Sequence, residues 1–120
     1  MITPLGKALR VLRMDRGWLL KDMADGLNLS SSFLSAVETG RKPVPDDIVD
    51  RVSAWADLNE EEEGALLKAF AQTVREFRIR MPNEMSSTDR EAAALLARSF
   101  GSLPSEDIAK IRDLIQRRKG

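Results

Sequence analysis

Two short amphipathic segments separated by a tight turn are the feature that most constrains the fold of this chain. Apolar side chains recur with a helical period within residues 20–27, and the same period reappears in Phe33, Leu34 and Val37. Asn28, which tolerates a left-handed backbone better than most residues, lies between the two segments. The pattern predicts two short helices joined by a turn of about four residues, which is a helix-turn-helix arrangement.

The second of these helices, predicted over residues 31–39, has a small and uncharged outer face. Ser30 is a suitable N-cap, because its hydroxyl can accept a hydrogen bond from a free backbone N–H one turn later. Gly40 suits the left-handed position that ends a helix, and Arg41 and Lys42 place two cations beside that end. Another surface can therefore come close to this helix, although an ordinary amphipathic helix would give the same pattern.

The residues from Leu5 to Leu58 carry a family signature. It includes the run S-x-x-x-L-S-x-V-E-x-G-R-x-P, which begins at Ser30. On these residues the chain resembles the phage lambda repressor and Cro-like family, also called XRE-type regulators. The resemblance implies a DNA-binding helical bundle in roughly the first half of the chain. The matching residues are Leu9, Arg13, Gly17, Met23, Ala24, Ser30, Leu34, Ser35, Val37, Glu38, Gly40, Arg41 and Pro43.

The resemblance also implies which side chains meet DNA. The second helix of the motif enters the major groove, and residues near its N-terminal end meet base edges. Serine bonds to several bases and discriminates weakly, so we expect specificity to depend on DNA shape and on two half-sites acting together. The candidate base-contacting residues are Ser31, Ser32, Ser35 and Ala36, and the candidate phosphate-contacting residues are Ser30, Lys21, Thr39, Arg41 and Lys42.

The first positions of the preceding helix, predicted over residues 19–27, depart from the family pattern. Relatives usually have a Ser, Thr or Asn there that holds a DNA phosphate, whereas this chain has Leu19 and Leu20. Leucine neither caps a helix nor bonds to phosphate. The two leucines either pack on the rest of the protein or contact another protein, and Lys21 could substitute as the phosphate ligand.

Arg13 and Glu38 are predicted to form a structural ion pair. Arg13 lies at the margin of the apolar stripe of the first helix, which is predicted over residues 4–16. In the family, an arginine at this place pairs beneath the surface with a glutamate that matches Glu38. Two unrelated surface charges are the alternative.

Composition excludes several classes of function. The 120 residues include 19 basic and 19 acidic side chains, so any basic surface for DNA must be local. Histidine and cysteine are both missing, which excludes disulfides, thiolate chemistry, zinc sites and the usual general base. We therefore expect neither an enzyme nor a bound cofactor or metal. No long apolar stretch and no signal peptide are recognisable, so we expect a cytoplasmic protein that does not enter a membrane.

The remainder of the chain is also predicted to be helical. Aromatic residues make up only 5% of the composition, and Val, Ile and Thr form no runs that favour strands. Asn59 and Glu62 are spaced as a reciprocal helix cap, and so are Thr88 and Glu91. We expect an all-α protein of about seven helices, a lambda-repressor-like helix-turn-helix bundle followed by a helical C-terminal extension. The later helices are predicted over residues 46–56, 60–78, 89–100 and 105–118.

We divide the chain into a DNA-binding domain, residues 1–57, and an extension, residues 58–120, used for dimerisation or partner binding. The predicted helices of the extension each carry an apolar stripe, and the first stripe is wider than one short neighbour would cover. The candidate residues of the dimer or partner interface are Leu66, Phe70, Val74, Phe77, Leu95, Phe100, Ile111 and Leu114.

The sequence favours a transcriptional regulator that binds double-stranded DNA specifically. We expect a repressor that binds a palindromic operator as a homodimer, because one module of this kind meets only one half-site. The alternative is an antitoxin or another protein-interaction module of a toxin–antitoxin pair. In that case the extension would hold a partner protein such as a toxin, and the protein could also repress its own promoter.

Overall fold

The computed structural model describes residues 1–119 of the chain, with side chains described through residue 118. These residues form seven α-helices and one 3₁₀ turn, and none of them lies in a strand. The prediction of an all-α protein is therefore confirmed. The helices are α1 (Pro4–Arg16), α2 (Leu20–Gly26), α3 (Ser31–Glu38), α4 (Ile48–Ala56), α5 (Glu60–Thr73), α6 (Ser87–Ser99) and α7 (Ser105–Lys119), and the 3₁₀ turn is Phe100–Ser102.

The chain divides into two compact units. The first runs from Met1 to Arg78 and contains α1 to α5, and the second begins at Ile79 and contains α6 and α7. Since α5 packs against α1 and α4, the unit that includes the predicted DNA-binding domain continues past residue 57. The predicted division of function between residues 1–57 and 58–120 remains a prediction.

A single apolar core joins the five helices of the first unit. Its members come from the helical stripes in the sequence, and most of them are completely buried. Burying one Leu, Ile or Phe side chain contributes about 1.5–3 kcal/mol, so this core is the main stabilising contribution to the unit. The core residues are Leu5, Leu9, Met23, Ala24, Leu27, Leu34, Ile48, Val49, Val52, Leu66 and Phe70.

The start of α5 is fixed by a reciprocal cap and by Arg16. The Asn59 carboxamide oxygen accepts from the Glu62 N–H at 2.8 Å, and the Glu62 carboxylate accepts from the Asn59 N–H at 3.0 Å, as the sequence predicts. Arg16 donates both to that carboxylate, at 3.0 Å, and to the Ala56 carbonyl, at 2.8 Å. The Asn59 N–H and then the Arg16 guanidinium hold the pKa of Glu62 below its ordinary value of 4.5. The ends of α1 and α4 and the start of α5 are thus tied together.

Two predicted helix boundaries in the first unit are wrong. The helix predicted to start at residue 46 begins at Ile48, because the Ile48 N–H donates to the Pro45 carbonyl and closes a turn before the helix. The helix predicted to reach residue 78 ends at Thr73, and Val74 is extended, with φ −96° and ψ 138°. The Thr73 hydroxyl accepts from the Leu5 N–H at 2.9 Å, which attaches the end of α5 to the start of α1.

The predicted cap of α6 is also wrong. The helix begins at Ser87, and its N-cap is Ser86, whose hydroxyl accepts from the Asp89 N–H at 3.1 Å. The predicted box at Thr88 and Glu91 therefore lies inside the helix. Successive residues Ser86, Ser87 and Thr88 can all cap a helix, so the local pattern did not distinguish among them.

Arg13 and Glu38 form the buried ion pair that the sequence predicts. Glu38 is 1% exposed and Arg13 is 9% exposed. The Arg13 guanidinium donates to both carboxylate oxygens of Glu38, and one of these bonds measures 3.4 Å. Arg10, which the sequence did not suggest, adds a third bond from its Nε at 3.3 Å. One carboxylate on α3 therefore binds two arginines of α1.

The backbone of Glu38 adds a second connection between α1 and α3. Its carbonyl oxygen accepts from the Thr3 N–H at 2.9 Å and from the Thr3 hydroxyl at 3.1 Å. Gly6 makes this approach possible, because a Cβ atom at that position would lie 2.2 Å from the same oxygen. Main chain and side chain of one residue thus hold α3 against α1.

We expect Glu38→Ala to lower the free energy of unfolding by about 3–5 kcal/mol, because it leaves Arg13 buried without its carboxylate. Urea unfolding followed by circular dichroism measures the change. Glu61→Ala, an exposed carboxylate on α5, is the matched control and should change stability by less than about 0.5 kcal/mol. Equal losses in the two variants would contradict the prediction.

Candidate nucleic-acid interface

The turn between α2 and α3 adopts the predicted helix-turn-helix geometry. Asn28 has the left-handed φ of 58°, and the Leu29 N–H donates back to the Ala24 carbonyl at 2.8 Å. Ser30 is extended, and its hydroxyl accepts from the Phe33 N–H at 3.1 Å, which makes it the N-cap of α3. The cap uses the Ser30 hydroxyl, whereas the predicted phosphate contact at this position involves the backbone near Ser30.

The outer face of α3 carries three serines. Ser32 is exposed, and Ser31 and Ser35 are half-buried, so all three keep accessible surface. Their spacing places them on one side of the helix, opposite the buried Val37. Ala36 is only 8% exposed, so little of its methyl group can reach a thymine. The surface available for base contacts is therefore formed by the serines.

The end of α3 places two cations beside this serine face. Gly40 has the left-handed φ of 77°, and the backbone N–H groups of Arg41 and Lys42 both donate to the Ala36 carbonyl, at 2.8 and 3.2 Å. Both side chains are exposed. The Thr39 hydroxyl donates to the Ser35 carbonyl at 3.0 Å and accepts from the Arg41 Nε at 3.1 Å. Its one proton is therefore not free to bind a phosphate, whereas Arg41 and Lys42 have further donors.

The N-terminus of α2 is occupied by a carboxylate of the chain itself. Leu19 is the N-cap residue, provides no side-chain cap and is 71% exposed, whereas Leu20 packs against the core. The Asp22 carboxylate accepts from the Leu19 N–H at 2.8 Å. The resemblance places a phosphate contact at this helix end, where Asp22 would now repel it. Lys21 is exposed in the same turn and stays the candidate cation there.

Sequence analysis missed the role of Asp22. The sequence feature that could have revealed this role is the three-residue spacing between Leu19 and Asp22. This is the spacing between a helix N-cap and the acidic residue that accepts from its backbone N–H. The spacing is easily overlooked when leucine is the N-cap residue, because only one of the two reciprocal bonds can form.

The predicted dimer or partner residues fall into two groups. Leu66 and Phe70 belong to the core of the first unit, so neither offers an uncovered surface to a partner. Val74 is half-buried against the same core, and Phe77 is exposed although its ring lies 5.6 Å from that of Phe70. In the second unit Ile111 is half-buried. The exposed large apolar side chains of this unit are Ile79, Leu95, Phe100, Leu114 and Ile115, of which Ile79 and Ile115 were not among the predicted interface residues.

Neither a membrane-spanning helix nor a cluster of metal ligands is found in the part of the chain that the structure describes. Among residues 1–119, no helix is long and apolar enough to cross a membrane. The same residues contain no group of three or more metal-ligating side chains that could hold an ion.

The fold and the α2–α3 turn define the class of a helix-turn-helix protein. Residues 4–66, which are more than half of the chain, match the family model described as a helix-turn-helix domain. The protein therefore belongs to this helix-turn-helix domain family, which is related to the XRE-type regulators. Comparisons with curated proteins and with solved structures give no match. The family and the geometry together indicate a DNA-binding regulator.

Leu19→Ser should raise the free energy of unfolding by about 0.5–2 kcal/mol, because it supplies the missing N-cap hydroxyl to α2. Little apolar burial is lost, since the leucine is exposed. Leu19→Ala removes the same side chain without adding an acceptor, and should leave stability within about 0.5 kcal/mol of the original. Thermal unfolding of the three proteins tests this, and a serine variant no more stable than the alanine variant would refute it.

Proposed function

We propose that the protein is a repressor that binds a palindromic operator in double-stranded DNA as a homodimer. The observation that carries this proposal is the solvent-accessible serine face of α3, which ends beside the exposed cations Arg41 and Lys42. A helix with this surface can enter the major groove, because no large or acidic side chain projects from that side. We also propose that the function is binding and not catalysis, which the lack of histidine and cysteine supports.

Ser31 and Ser32 lie in the first turn of α3, where a recognition helix meets base edges. Their hydroxyls can donate or accept, so each bonds to more than one kind of base. Bidentate readout of a base needs Arg, Asn or Gln, and none of these occurs in α3. We infer that sequence preference arises from several weak contacts, from DNA shape and from the spacing of two half-sites.

The second unit supports the homodimer. No residue of α6 is buried, although the helix carries an apolar stripe that includes the exposed Leu95. Leu114 and Ile115 of α7 are also exposed. A short amphipathic helix gains most of its stability from packing of its apolar face, so these helices are expected to meet a second surface. A second copy of the chain supplies that surface and also the second DNA-binding domain that a palindrome needs.

The same uncovered apolar side chains support an alternative, in which the protein is the antitoxin of a toxin–antitoxin pair. Its second unit would then bind a partner protein, and α3 could still repress the promoter. Purification of the chain together with the products of neighbouring genes separates the two proposals. A stoichiometric complex with a second small protein would favour the antitoxin.

We expect the full chain to be a dimer and a chain ending at Arg78 to be a monomer in sedimentation at micromolar concentration. The truncated chain ends at Arg78 so that it retains α5, since Leu66 and Phe70 of that helix complete the core of the first unit. Leu114→Asp in the full chain tests the same surface without truncation and should also give a monomer. A full-length protein that is monomeric by itself would contradict the homodimer.

Ser32→Ala and Lys42→Ala should weaken DNA binding in different ways. Ser32→Ala removes about 0.5–1.5 kcal/mol of discrimination at one base pair per half-site, which is the contribution of a single hydrogen bond, and leaves the salt dependence unchanged. Lys42→Ala weakens binding to all sequences alike and lowers the slope of log K against log salt by about one unit per protomer. Fluorescence anisotropy with duplex DNA from upstream of the gene, at several salt concentrations, measures both effects. Identical behaviour of the two variants would contradict the assignment of roles.

A further inference from the structure

A charged groove runs beside the end of α3, and four of its lining side chains are basic. Arg41 and Lys42 come from the loop after α3, and Arg75 and Arg78 come from the segment that follows α5. All four are exposed. Residues more than 30 positions apart in the sequence thus face one groove, and two of them lie beyond the residues that match the helix-turn-helix family.

The segment that carries Arg75 and Arg78 is held in place by bonds at the end of α5. The Thr73 hydroxyl joins it to the Leu5 N–H, and the Val74 N–H donates to the Phe70 carbonyl at 2.9 Å. Three residues after Val74, the Phe77 ring packs on the Phe70 ring. The backbone from residue 73 to 78 is thus fixed to the same unit as α3.

Two carboxylates also line the groove, and one of them pairs with an arginine. Asp46 lies 4.0 Å from the Arg78 guanidinium, whose side chain is 82% exposed, and Glu76 lies on the same segment. An exposed ion pair of this length is weak and is screened by salt. Arg78 can therefore exchange Asp46 for a stronger anion, and a phosphate accepts two parallel bonds from one guanidinium.

We propose that Arg75 and Arg78 bind backbone phosphates of the DNA whose bases meet α3, and that Asp46 holds Arg78 until DNA displaces it. The proposal rests on the DNA-binding function proposed above and extends it to a segment outside the recognition motif. It explains how a chain with 19 basic and 19 acidic residues can hold DNA, because four cations converge at one end of the recognition helix. Phosphate contacts of this kind fix the register of the helix on the duplex.

The first test is the salt dependence of binding to a duplex of about 30 base pairs, which is long enough for two half-sites one helical turn apart. The duplex is taken from upstream of the gene, and a random duplex of equal length measures non-specific binding. Arg75→Ala and Arg78→Ala should each lower the slope of log K against log salt by about 0.9 per protomer for both duplexes. Lys68→Ala removes one exposed cation from α5, outside the groove, and should leave the slope unchanged.

The second test uses Asp46. Asp46→Asn should raise DNA affinity about two- to fivefold, since the ion pair that competes with phosphate is lost. The gain should disappear when Arg78→Ala is added. Glu61→Gln removes an exposed carboxylate from the start of α5, which does not line the groove, and should give no gain.

If both arginine variants bind DNA with the same slope of log K against log salt as the wild-type chain, this proposal is wrong, whereas the proposed function still holds. If Asp46→Asn still raises DNA affinity when Arg78→Ala is also present, the proposed exchange of Asp46 for a phosphate at Arg78 is wrong. A wild-type chain that binds neither duplex would reject the proposed function, and this inference with it. Circular dichroism of each variant establishes that the helices are retained before slopes are compared.

Discussion

The buried carboxylate of Glu38 is the interaction on which the placement of α3 depends. It binds Arg13 and Arg10 of α1, while the carbonyl oxygen of the same residue accepts two hydrogen bonds from Thr3. Burying a carboxylate costs free energy that several hydrogen-bond donors must offset. Because the donors come from α1, neither helix can move relative to the other without breaking bonds at this residue. The orientation of the serine face, which starts two turns earlier on the same helix, is set by that restraint.

Local sequence patterns predicted the first half of the fold well, because its helices carry their signals within a few residues. The predicted first helix has the same bounds as α1. Thr3 caps its start, and Gly17 ends it in the left-handed conformation. The cap formed by Asn59 and Glu62 was predicted for the same reason. The end of α5 was not predictable in this way. It depends on a bond between Thr73 and the Leu5 N–H, two residues separated by 68 positions.

In the candidate site, too, the features set by local sequence were predictable, whereas those set by contacts between distant residues were not. Periodicity alone indicated which side of α3 is outward, and it correctly excluded Leu34 and Val37 from that side. Ala36 was placed on the outward side both by periodicity and by family resemblance, yet the packing of the first unit covers it. The proximity of Arg78 to Asp46 could not be foreseen, since it depends on where α5 ends and on the Phe70–Phe77 contact. Residues brought together by tertiary packing leave no periodic signal in a single sequence.

The pair of indole rings in the first unit has an optical consequence. Trp18 and Trp55 are the two tryptophans of the chain, their ring centroids are 4.4 Å apart, and the Arg16 guanidinium lies 5.5 Å from the Trp18 ring. The chain contains no tyrosine. Fluorescence emission above 300 nm (a general property of indole) therefore comes from one contact between the end of α1 and α4. The helices α6 and α7 are optically silent in that range, so a fluorescence melt records the opening of one corner of the first unit.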